Sequence, residues 1–242
     1  MTDREAATTL RDAAVLIVGT GAMGLATARR ARDAGARVTL AGRSPDRLEA
    51  AVAAVPGITA ALADTEDAEQ ADRLLRDGAP WNHVAILAGG AGANASSITA
   101  TPVVEAQRAF GRFWLTYNVL RAAAGTVVEG GSVCVLTGSS GRRPMMGFGV
   151  WGTLHGSLES LARNAALELS PVRVNVVSPG GIGIRTDRQL VAHRGQADDV
   201  ASMVCALMTN PAVTSAVVDV DGGERLGTYP TAENAWAADL DR

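Results

Sequence analysis

The chain has 242 residues, a formal net charge of −3 and a pI near 5.6. With 47% hydrophobic and 19% charged residues it has the make-up of a folded globule, not a disordered segment. All twenty-two of its Lys/Arg positions are arginine, which excludes Schiff-base lysine, phosphate-loop lysine and any Tyr–Lys catalytic pair.

The mild acidity and the lack of a basic stripe argue against a nucleic-acid partner. No apolar run approaches the roughly 18–20 residues of a membrane span. The first residues, Met1 to Glu5, lack the charged-then-apolar pattern of a signal peptide. Cys134 and Cys205 fall in apolar runs and read as buried free thiols, so a cytoplasmic location is expected.

Residues 14–18 (AVLIV) have the pattern of a buried strand stopped by glycine. Helical character follows over 27–34 and ends at Gly35, a helix C-cap. A second strand is predicted at 37–41, after which Ser44 and Pro45 read as an N-cap and first helical residue. Five more strands are expected at 58–62, 83–88, 132–136, 173–177 and 216–220, with helices at 66–76, 104–123, 152–169 and 197–208. Strands that are apolar on both faces and separated by helices belong to a parallel sheet covered on both sides. With no linker or repeat, residues 1–242 read as a single α/β domain, ragged before about 12 and after about 224.

Between the first strand and the first helix lies Gly19-Thr20-Gly21-Ala22-Met23-Gly24, a GxGxxG. In that context the first glycine allows a tight turn, the second a close approach of backbone amides to a pyrophosphate, and the third close helix–strand packing. The helix N-terminus adds unpaired N–H groups and partial positive charge. The expected fold is thus a Rossmann-type doubly wound parallel sheet of about seven strands, with helices on both faces. After the second strand, where an NAD site needs a carboxylate for the ribose hydroxyls, the chain has Arg43 and Ser44. A guanidinium and a hydroxyl suit a 2′-phosphate, so NADP(H) is the expected cofactor.

Several stretches together resemble the short-chain dehydrogenase/reductase family from about Ala14 to Gly223. They are the glycine loop, GARVTLAGRSPDRLEA (35–50), Asp64, Ala88-Gly89-Gly90, RVNVVSPGGI (173–182) and VDVDGG (218–223). The resemblance implies that Asp64 lies near the adenine and that Ala88, Gly89 and Gly90 run along the adenosine ribose. It also sets Pro179, Gly180 and Ile182 beside the nicotinamide, and implies that helices 104–123 and 152–169 pair in a homodimer or homotetramer. The family's glycine pattern is GxxxGxG, one residue longer than this loop.

In the family a serine, a tyrosine and a lysine four residues later handle the proton and the nicotinamide ribose, with an asparagine on the preceding helix. Aligned without gaps, this chain has Gly138, Trp151, His155 and Arg112 at those places. His155, with an ordinary pKa near 6.5, is the candidate for proton transfer. Ser139 and Ser140 flank the serine position, Trp151 offers an aromatic wall, and Arg142 and Arg143 offer charge to an anionic substrate. His83 and His193 show no ligand spacing, and no metal is expected. The resemblance implies an NADPH-dependent oxidoreductase reducing a small-molecule C=O, C=N or activated C=C. A non-redox enzyme on the same fold, or a nucleotide-binding partner without catalysis, are the alternatives.

Overall fold

The computed structural model describes residues 9–88, 96–183 and 189–227. Its strands are β1 (Ala14–Val18), β2 (Arg37–Gly42), β3 (Thr59–Leu62), β4 (Trp81–Ile86), β5 (Val127–Leu136), β6 (Arg173–Pro179) and β7 (Val217–Val220). Between them run α1 (Ala22–Asp33), α2 (Pro45–Ala54), α3 (Ala68–Asp77), α4 (Val103–Ala123), α5 (Gly149–Glu168) and α6 (Ala197–Thr209). The strands form one parallel sheet in the order β3-β2-β1-β4-β5-β6-β7. The order reverses between β1 and β4, and that switch point opens a crevice at the carboxyl ends of the strands.

Alternation along β1 shows why both faces must be covered. Val15 and Ile17 join a cluster with residues of α1, α2 and α6, whereas Leu16 and Val18 join one with residues of α3, α4 and α5. Each such side chain contributes roughly 1.5–3 kcal/mol by leaving water. The doubly wound α/β architecture is thus the one the apolar runs specify. Among the described residues, no helix is long and apolar enough to cross a membrane.

Several boundaries differ from expectation. The first helix begins at Ala22, not 27, because Gly21 supplies an extended N-cap and the first turn lies inside the glycine loop. β4 ends at Ile86, so Leu87 and Ala88 lead out of the strand into the crevice. β5 starts at Val127, five residues early; Gly130 has φ +76° and the register with β4 shifts between Trp81 and His83, an irregularity that hides the alternation. Asp67 caps α3 by accepting from the N–H groups of Glu69 and Gln70, which moves that helix start to Ala68.

At the amino ends of the central strands, His83, Ser132 and Arg173 form a buried row in register. His83 Nδ1 lies 2.9 Å from Ser132 Oγ, and burial pushes the imidazole down to about 4. Arg173 donates to the carbonyls of Leu207, Met208 and Val213, satisfying acceptors at the end of α6 and tying that helix to the sheet.

Candidate active site

The side of the crevice next to the glycine loop is built from backbone. Gly19 has φ +129°, and a Cβ there would stand 2.6 Å from the amide nitrogen of Ala88. Its own N–H donates to Ala41 O at 2.9 Å, so the loop is clamped between β2 and the end of β4. Gly24 is buried against Gly19, with no room for a side chain. Gly21 is the opposite: a Cβ there would meet nothing within 4 Å. Two glycines hold the turn and the middle one faces open space at the start of α1, whose first turn carries no acid. This cradle suits a pyrophosphate.

Around the cradle, Thr20 packs against Gly42, Ala22 is exposed, and Met23 packs partly on the core. Arg43 is 70% exposed and meets Glu66 across 3.3 Å, a surface pair of little intrinsic strength. Ser44 Oγ accepts from Arg47 N–H at 3.4 Å as the cap of α2, so the hydroxyl already has a structural partner. The Asp64 carboxylate accepts from Glu66 N–H, and its own N–H donates to Gln70 Oε1. Gly89 and Gly90 lie outside the described residues.

On the opposite wall, Pro179 closes β6 and Gly180 packs against Asp221, where a Cβ would be 2.6 Å from the aspartate Cβ. Gly181 N–H donates to Glu224 Oε2 at 2.8 Å, and Ile182 packs partly on the core. The arginine pair does not offer charge to a substrate as expected. Arg142 is consumed by Glu159 and Asp219, and Arg143 donates to the carbonyls of Glu224, Arg225 and Gly227. Glu159 is almost wholly buried on α5, and burial raises its pKa against the pull of Arg142. These arginines fasten the segment after β7 beside the crevice.

Between the two walls the structure gathers Gly138, His155, Arg112, Ser140 and Trp151. A Cβ on Gly138 would stand 2.6 Å from His155 Cε1, so the imidazole fills the space a side chain at 138 would need. His155 Nδ1 is 2.8 Å from Ser140 Oγ, and its Nε2 is 3.4 Å from Arg112 NH1. A guanidinium only donates, so Nε2 accepts and Nδ1–H points at the serine hydroxyl. Burial, reinforced by the Arg112 charge, pushes His155 down to about 4. The ring is therefore neutral at pH 7, which corrects the expectation of a histidine poised near neutrality.

Ser139, one of the two serines flanking the expected serine position, is buried in the turn of residues 139–141, and its carbonyl accepts from the N–H groups of Arg142 and Arg143. Its neighbour Ser140 is the one that reaches His155. Trp151, one turn before His155 on α5, is half-buried, its ring centroid 6.2 Å from the imidazole at 48°. Arg112 donates to the carbonyl of Leu136 at 2.6 Å, and burial pushes its pKa to about 10. The contacts of Arg112 and Ser140 with His155 were hard to read in sequence, since an arginine on a helix and a serine in a loop are usually solvated.

A crevice of this kind, on a doubly wound sheet, defines a dinucleotide-type α/β protein. A family model described as enoyl-(acyl carrier protein) reductase matches residues 19–224. The chain is 27% identical to the short-chain dehydrogenase/reductase ATR9 of Stachybotrys chlorohalonatus, over 89% of this chain and 98% of that protein. A solved short-chain type dehydrogenase/reductase from Mycobacterium ulcerans aligns with TM-score 0.83 and 27% identity, covering 96% of this chain and 95% of that one. The MalC reductase/Diels-Alderase of Malbranchea aurantiaca aligns with TM-score 0.82 and 25% identity, covering 90% and 98%. The chain belongs to the short-chain dehydrogenase/reductase family.

Proposed function

We propose that this protein is an NADP(H)-dependent oxidoreductase reducing a small molecule at a polarised double bond. The observation that carries the reading is the cradle at Gly19, Gly21 and Gly24, with Arg43 and no carboxylate closing β2. When bound, NADP(H) supplies or takes up a hydride at its nicotinamide. The N–H groups at the start of α1 would hold its pyrophosphate, and Arg43 would exchange a weak surface contact with Glu66 for the 2′-phosphate. Pro179, Gly180 and Ile182 would flank the nicotinamide, and Asp64 the adenine.

The chain's own residues narrow the chemistry. A neutral His155 whose only ring proton is directed at Ser140 is a poor acid at pH 7, and Trp151 does not ionise usefully. General acid help worth roughly 10²–10⁴-fold is thus missing. The proton that completes a reduction comes from water, and His155 and Ser140 position rather than protonate. Arg112 disfavours a cationic C=N substrate and favours an activated C=C or C=O, on which negative charge grows at oxygen. The exposed Trp114 and Tyr117 on α4 support pairing with a second copy as a homodimer or homotetramer. The buried free thiols Cys134 and Cys205 support a reducing, cytoplasmic setting.

Fluorescence titration with NADPH and NADH tests the cofactor reading. Arg43→Ala should weaken NADPH binding about tenfold and leave NADH binding within twofold. Equal losses, or no binding of either at millimolar concentration, would refute it. A second reading, non-redox catalysis in a shaped pocket, draws on the same lack of a resident acid and on the two activities in the name of the MalC reductase/Diels-Alderase. Substrate conversion that proceeds identically without NADPH would establish it.

A further inference from the structure

Arg112 enters the crevice from α4 as a cation with no carboxylate beside it among the described residues. Among the described residues its guanidinium meets only the carbonyl of Leu136 and, at 3.4 Å, the imidazole of His155. Of five N–H donors, those contacts use two. Other arginines are matched differently: Arg142 has two carboxylates, and Arg143 and Arg173 each have three carbonyls. A half-buried guanidinium gains from a partner that offsets the water it has lost.

The floor beneath it is also unspent. Thr137 Oγ1 and Ser178 Oγ are buried without a partner. Leu136 pairs with Val177, so these two residues stand side by side at the carboxyl ends of β5 and β6. Val135 and Val176 belong to the cluster beneath α4 and α5, and strand alternation puts Thr137 and Ser178 on that same face. Two unpartnered hydroxyls and, among the described residues, a guanidinium with three N–H groups left over therefore belong to one region, at the carboxyl ends of β5 and β6 beneath α4 and α5.

We propose that this region is a carboxylate receptor, and that the substrate carries a permanent anionic group docked on Arg112 with the hydroxyls of Thr137 and Ser178 beneath it. The inference rests on the reading that substrate binds in this crevice, and it names the substrate class: unsaturated or oxo acids, not neutral ketones. A carboxylate offers only acceptors and takes a guanidinium two-pronged, whereas an amide of the same shape would bring donors against donors.

Benzoate and benzamide, alike in shape and different in charge, are the probes. Their affinities for the full chain, with and without saturating NADPH, are compared by calorimetry. Benzoate should bind at least tenfold more tightly, and Arg112→Gln should reduce that preference below twofold. Equal affinities, or a preference that survives in Arg112→Gln, would overturn the proposal. Should Arg112→Gln fail to fold, the isosteric Thr137→Val decides: benzoate should weaken threefold or more with benzamide unchanged, and no change overturns. If Arg112→Gln weakens NADPH as much as benzoate, the anion belongs to the cofactor and the proposal falls. NADPH binding without benzoate preference sinks this inference alone; benzoate preference without NADPH binding sinks only the cofactor reading.

Discussion

Around Gly19, Gly21 and Gly24 the crevice is made of backbone; around Gly138 and His155 it is made of side chains that hold one another. In the first region a position is fixed by what cannot be there, since any Cβ at Gly19 meets the Ala88 backbone. In the second it is fixed by exchange: the imidazole of His155 stands where a side chain at 138 would stand, and Arg112 and Ser140 grip its two nitrogens. A backbone site tolerates almost no change at glycines packed against other backbone, as Gly19 and Gly24 are. A side-chain site can change wholesale, provided volume and hydrogen bonds change together.

The strongest way to break this contrast is Gly19→Ala. Positive φ and a backbone clash combine, so a loss of about 3–5 kcal/mol is expected in urea unfolding. A loss below about 1 kcal/mol would mean that the loop shifts freely and is not clamped. Gly138→Ser should cost about 2 kcal/mol by itself, because the ring of His155 must move. In the His155→Ala background the same change should cost little, and the double-mutant cycle should return a coupling above about 1 kcal/mol. Additive effects would show that the two positions do not share one volume.

Acid sharpens the comparison further. His83 and His155 both have pKa values lowered from about 6.5 to about 4 in the folded chain, chiefly by burial. The unfolded chain then binds more protons between those values, so the stabilisation is fully present above pH 6.5 and is lost as pH falls toward 4. Each histidine contributes a slope of at most about 1.4 kcal/mol per pH unit. Unfolding midpoints measured between pH 7 and 4.5 should fall, and His155→Asn should flatten the decline. A flat profile in the parent chain would show that neither ring is held neutral.

Much of the molecule was legible before any coordinates. The glycine loop, the seven apolar runs, the cap at Ser44 and the turn after Pro179 are local signals, each set by the conformations a few adjacent residues can adopt. Boundaries failed where glycine interrupts periodicity, as at Ala22 and in the first half of β5. The position of His155 was also legible by resemblance, but its protonation was not. An ordinary pKa near 6.5 holds for a solvated imidazole, and only the packed structure reveals the desolvation and the Arg112 charge that lower it.

The sequence alone determined the doubly wound sheet, the glycine loop and the impossibility of lysine chemistry, because those follow from backbone conformation, side-chain periodicity and composition. Tertiary structure decided the rest. It paired Arg142 and Arg143 with internal partners, brought Ser140 to His155, and left Arg112 beside no carboxylate among the described residues. Those outcomes depend on which groups from distant segments share a buried volume, and pairing energies in such a volume are set by distance and desolvation, neither of which is written along the chain.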